Sequence, residues 1–154
     1  MTASIADARL RAACWECQRH RDVLSEALAD WQAVQPKPDL PSLEADKALR
    51  RLTDQILYRF TKLQDAMGER LVPATLGWLR EPFEEWPMRD RLDRLERLRY
   101  LDVDEWLQWR DVRNRLAHEY PDETDLRQAA LWAAIEAATA LAAAHDRWRQ
   151  RLPA

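Results

Sequence analysis

Glycine is nearly missing from this chain: 154 residues contain only Gly68 and Gly77. Tight hairpins rely on residues that accept positive φ, so a chain this poor in glycine is starved of β-turns. Lysine is almost as scarce. Lys37, Lys47 and Lys62 are the only lysines among 24 basic residues, and the rest are arginine. No stretch approaches the ~18 uncharged apolar residues of a membrane-spanning helix, so no membrane association is expected. The start, Met1-Thr2-Ala3-Ser4-Ile5-Ala6-Asp7, lacks the basic and apolar parts of a signal peptide, which leads to the expectation of a cytoplasmic protein. A net charge of −3 excludes a global basic field that would hold nucleic acid without specificity.

Cysteine is limited to Cys14 and Cys17, with His20 following at the same spacing. Three soft ligands at i, i+3 and i+6 share a helix face, but a structural zinc site needs a fourth ligand and normally a second knuckle. Both cysteines also fit an apolar stripe with Leu10 and Leu24. Reduced core cysteines are therefore expected, and no metal or cofactor is.

What is abundant favours helix. Hydrophobic residues make up 47% and charged residues 33%, with Ala, Leu, Arg and Glu foremost. The length suits one domain with one core, residues 1–154. A first helix is predicted from about Ser4 to Val34, with Leu10, Ala13, Cys14, Cys17, Leu24, Leu28 and Trp31 on its apolar side. The prolines at 36, 38 and 41 end it. Ser42 is a candidate N-cap for a second helix whose stripe is Leu49, Leu52, Ile56, Leu57, Phe60, Leu63 and Met67. Gly68 and Pro73 mark a kink or split, with continuation to about Leu79. Residues 81–87 read as a loop. Residues 88–99 read as a short helix with Leu92, Leu95 and Leu98 inward, and interleaved Arg, Asp and Glu outward as an ion-paired face. Asp102-Val103-Asp104-Glu105 has the layout of a capping box and opens a further helix through Leu116. Pro121 closes that helix, and Asp122 or Thr124 caps a last one ending near Leu152. Most of the eight tryptophans sit on apolar stripes and read as core, with Trp86 left open. The fold class is thus all-α: an up-and-down bundle of four main helices plus a short one.

The most informative run is Arg113-Asn114-Arg115-Leu116-Ala117-His118-Glu119-Tyr120, before Pro121. At 100° per residue, Asn114 and His118 stack on one face with Arg115 beside them, while Arg113 lies roughly 140° from His118. That awkward angle suggests a distorted helix end or a composite site shared with a second subunit. Tyr120 precedes proline, which disfavours αR and turns it out of the helix. An imidazole near neutral pKa can serve as general base or acid. A guanidinium can stabilise a phosphorane while a 2′-hydroxyl attacks the neighbouring phosphate, and Asn114 can orient either partner. Arg-x4-His alone is a weak signal.

The longer string, Arg113-Asn114-x-x-x-His118-x-Tyr120, resembles the Arg-x4-His-x-Tyr signature of HepT-type toxins in the HEPN superfamily of helical ribonucleases. Tyr58-Arg59-Phe60-Thr61-Lys62-Leu63-Gln64-Asp65, then Leu92-Asp93-Arg94-Leu95-Glu96-Arg97-Leu98 and Trp106, look like preceding blocks of such a family, together covering roughly residues 50–125. The first 40 residues carry no such block. The resemblance implies a HEPN bundle acting as a homodimer, with the two motifs lining one cleft. It implies a metal-independent endoribonuclease, the toxin of a type VII-like toxin–antitoxin pair, with Arg113 and His118 catalytic, while helical placement makes Asn114 and Arg115 candidate supporting residues. The implied antitoxin is a minimal nucleotidyltransferase that uses ATP to transfer AMP onto Tyr120. The alternative is a non-catalytic nucleotide-binding or scaffolding subunit of such a nucleotidyltransferase. A weaker third reading is a helical interaction protein whose motif is a salt-bridged helix end.

Overall fold

The computed structural model describes residues 2–116 and 123–153. The described elements are all helical: α1 (Thr2–Ala33), α2 (Leu40–Ala45), α3 (Lys47–Ala66), a π-helical turn (Met67–Leu71), α4 (Val72–Trp78), α5 (Met88–Arg97), α6 (Val103–Leu116) and α7 (Thr124–Gln150). They form an all-α bundle. Helix α1 packs along α3 and α4 on one side and α7 on another, α6 lies on α7 and α3, and α5 bridges α4 and α6. No helix among the described residues is long and apolar enough to cross a membrane.

The apolar spacing explains the packing. Every residue of the predicted α1 stripe is buried, from Leu10 to Trp31. On α3 the inner line Ile56, Phe60, Leu63 continues into Met67 with no exposure at all, while Leu49, Leu52 and Leu57 pack at its edge. Removing such side chains from water is the main favourable contribution to folding. Long-range polar ties add geometry. Arg21 donates from Nε and Nη2 to both oxygens of Asp146, at 2.9 and 2.8 Å, joining α1 to α7. The Trp148 indole donates to Thr75 Oγ1 at 3.1 Å, joining α7 to α4.

Local details refine or correct the sequence reading at several places, Thr124 among them, which lies inside α7 rather than capping it. Ser42 is not the cap of α3. It lies inside α2, where its N–H donates to Asp39, and α3 is capped by Asp46, which accepts from Leu49 N. Two aspartates placed three residues before a free amide outcompete a serine whose own amide is already taken. The kink or split expected at Gly68 and Pro73 takes the form of the π-helical turn, after which α4 continues from Val72 to Trp78 with Pro73 in its first turn. Trp15 is not core: it is 67% exposed, because it lies one residue and so about 100° away from the buried Cys14. Asp102 does cap α6, accepting from Glu105 N at 3.0 Å, while Glu96 accepts from Val103 N at 2.7 Å.

The shortage of glycine leaves a mark. Helices α4 and α5 both end in a left-handed residue, Arg80 (φ 62°) and Arg99 (φ 69°), where glycine is the usual occupant. Each completes the paired bonds of a Schellman end, Glu81 N to Leu76 O with Arg80 N to Gly77 O, and Tyr100 N to Leu95 O with Arg99 N to Glu96 O.

Candidate functional site

Arg113 sits in the last turn of α6 and reaches across to α3. Its Nε donates to Asp65 Oδ1 at 3.1 Å and its Nη2 to Oδ2 at 3.0 Å. This is the two-pronged geometry that suits guanidinium to carboxylate. About a third of each side chain remains exposed, 32% for Arg113 and 36% for Asp65. The hydrogen bonds to Asp65 push the Arg113 pKa above its ordinary value, and the nearby Glu69 adds to this. The guanidinium is thus held charged and aimed, with its Nη1 edge turned away from Asp65.

Beside this pair lies a pocket of about 250 Å³ whose walls include Gln64, Asp65, Glu69, Trp106, Arg113 and Asn114. Gly68, in the π-helical turn, shapes its floor. A Cβ there would come within 3.3 Å of Trp106 Cζ2, so glycine lets the indole seat closely against α3's continuation. The amide of Gln64 and the indole N–H of Trp106 are buried without a hydrogen-bond partner. Single-turn π segments often accompany functional sites, and unpaired buried polar groups are costly.

The remaining motif residues divide. Asn114 is exposed and lines the same pocket as Arg113. Arg115 points elsewhere, its Nη2 pairing with Asp111 at 3.1 Å on the outer face of α6. The predicted base His118 and the predicted modification site Tyr120 lie outside the described residues, as does the predicted cap Asp122. Asp65 stood within the family-like block around Tyr58 but without a role. Its pairing with Arg113 spans 48 residues, and no local spacing signals it.

The Cys14–Cys17–His20 cluster is not assembled as ligands. Both cysteines are buried and free. Burial raises both thiols, Cys17 far above the ordinary range, so neither is a ready thiolate. His20 instead meets Arg59, whose Nη1 lies 2.9 Å from Nδ1. Arginine can only donate, so this imidazole accepts and is neutral. Burial and then the Arg59 charge lower its pKa accordingly. Among the described residues no three His, Cys, Asp or Glu side chains gather into a metal-binding group. On the short basic helix α5, Arg94 donates twice to Glu81 and Arg89 pairs with Asp93, while Arg91 donates to the Trp86 carbonyl.

Compared with models of protein families, with curated proteins and with solved structures, the chain matches none.

Proposed function

We propose that this protein is a metal-independent endoribonuclease, the toxin of a type VII-like pair, built on the Arg113–His118 motif. In this reading a 2′-hydroxyl of bound RNA attacks the adjacent phosphorus and gives its proton to His118. The bond to the 5′-oxygen breaks, that oxygen takes a proton, and a 2′,3′-cyclic phosphate and a 5′-hydroxyl result. Arg113 carries the extra charge of the phosphorane. Two copies of the chain contribute to one cleft. A minimal nucleotidyltransferase, using ATP, silences the enzyme by placing AMP on Tyr120, which adds negative charge and bulk to the motif.

The observation that supports this most is the Arg113–Asp65 pair. A charged guanidinium, fixed by two hydrogen bonds and still partly open, stands at the lip of a pocket it shares with Asn114. Pre-orientation of this kind is how a positive group favours a transition state without reorganising. The same pair also favours a second reading, since a carboxylate-bound arginine suits a nucleotide-binding or scaffolding subunit of a nucleotidyltransferase.

The deciding experiment incubates purified protein with RNA and DNA in EDTA. Cleavage of RNA only, abolished by Arg113→Ala and by His118→Ala, is the expected result. Full cleavage by both variants would sink the catalytic assignment, and tight nucleotide binding without cleavage would favour the scaffold. Mass spectrometry after incubation with ATP and the partner enzyme tests the switch, with an AMP adduct on Tyr120 expected.

A further inference from the structure

A second surface adjoins Arg113. Helices α1 and α3 and the π-helical turn border an open groove of about 640 Å³, and Asp65, the partner of Arg113, forms part of its wall. Two large aromatic side chains stand exposed on it, Trp15 at 67% and Tyr58 at 53%. A cation flanks each ring. Arg19 lies 5.7 Å from the Trp15 centroid, and Arg59 and Lys62 lie 5.5 and 5.6 Å from that of Tyr58. Large aromatics are normally buried, so two of them open to solvent on one groove need an explanation that core packing does not supply.

The charge of the groove has a sign. Its carboxylates are Glu16, Asp65 and Glu69. Glu16 is paired to Arg70 at 2.8 Å, and Asp65 is taken by Arg113. Arg19, Arg59 and Lys62 therefore outweigh Glu69. The chain as a whole is acidic, so this positive strip is local. Exposed rings interleaved with cations are the chemistry that holds single-stranded nucleic acid: bases stack on the rings and phosphates meet the cations, with little dependence on sequence.

We propose that this groove is the track for single-stranded RNA, with bases stacking on Trp15 and Tyr58 and the backbone contacting Arg19 and Lys62, so that the strand arrives at Arg113 across Asp65. The proposal rests on the ribonuclease reading for its direction toward Arg113 and names the form of RNA that site takes. A duplex is a poor occupant, since its bases are already stacked on one another and offer no face to either ring.

The test measures binding rather than cutting. A fluorescently labelled 2′-O-methyl oligonucleotide, which has no free 2′-hydroxyl and cannot be cleaved by this route, is titrated into the intact chain and its anisotropy followed. Trp15→Ala and Tyr58→Ala each weaken binding about tenfold or more, while Trp15→Phe and Tyr58→Phe, which keep a ring, retain most of it. Lys62→Gln and Arg19→Gln each lower the slope of log affinity against log salt by about 0.7. Unchanged affinity in the two alanine variants overturns the proposal. So does equal binding of a duplex, or a loss of binding that accompanies a change of oligomeric state, which would make the face a contact between copies. The two readings fail separately. An oligonucleotide held by Trp15 and Tyr58, in a protein that does not cut unmodified RNA, leaves the track standing and removes the nuclease. Cleavage with alanine variants that bind as the parent does the reverse.

Discussion

Arg113 and Asp65 hold one another by two parallel hydrogen bonds, 3.1 and 3.0 Å long, between the end of α6 and the end of α3. The pair is too exposed to matter much for stability, and such pairs contribute under about 1 kcal/mol. Its effect is on orientation. Asp65→Asn keeps the shape but removes the charge and one acceptor, so under the proposed nuclease reading RNA cleavage is expected to fall about 10- to 100-fold. Arg113→Lys keeps a charge but loses the fork, and is expected to fall at least as far. Denaturation midpoints close to the parent's, together with the lost rate, would separate this from unfolding. Full activity in Asp65→Asn would show that the clamp does not position Arg113.

Trp148 is almost wholly buried, and its indole nitrogen has Thr75 Oγ1 as acceptor. Thr75→Val keeps the volume but strands that donor away from water. A loss of about 1–3 kcal/mol in urea unfolding is expected, with Thr75→Ser close to the parent.

The left-handed Arg99 invites the opposite change. A side chain at such φ costs about 1–2 kcal/mol, which Arg99→Gly would relieve. Glycine also gives the unfolded chain more freedom, worth about 0.4–1 kcal/mol against folding. A net gain of roughly 0.8 kcal/mol follows from the two figures, read as a small rise in melting temperature. A lower melting temperature would mean that the Arg99 side chain makes a contact of comparable worth.

His145 is 1% exposed, and burial lowers its pKa more than the adjacent Asp146 raises it. The unfolded chain takes up a proton at this residue near pH ~6.5, whereas the folded chain resists it to lower pH. Stability is therefore complete above that value and declines as pH falls through it. His20, whose pKa is also lowered, adds to the same slope. Urea unfolding from pH 7.5 to 5 should show this decline, and His145→Gln should flatten it. An unchanged slope in that variant would place the proton uptake elsewhere.

Much of the fold was readable in one dimension because helix periodicity is local. The spacing of Leu10, Cys17, Leu24 and Trp31 needs only the 100° turn of the α-helix to become a buried stripe, and the observed burial follows it. The same held for the proline boundary after α1, the loop before α5 and the aspartate cap of α6. The short α2 was missed because its six residues carry too little pattern to register against the prolines around them. The candidate site was legible only as a string. Arg113 and Asn114 could be nominated from it, and the outward pairing of Arg115 with Asp111, four residues earlier on the same helix, follows from equally local spacing.

Sequence by itself determined most of the helical segments and which of their faces are apolar, since each follows from neighbours within a few turns. The tertiary structure decided that Asp65 orients Arg113 from 48 residues away, that Arg21 meets Asp146 across 125, and that Trp15 and Tyr58 share one open groove. Those pairings depend on how whole helices pack against one another, and the energy that selects the packing comes from the summed burial of many apolar side chains rather than from any residue in the pairs.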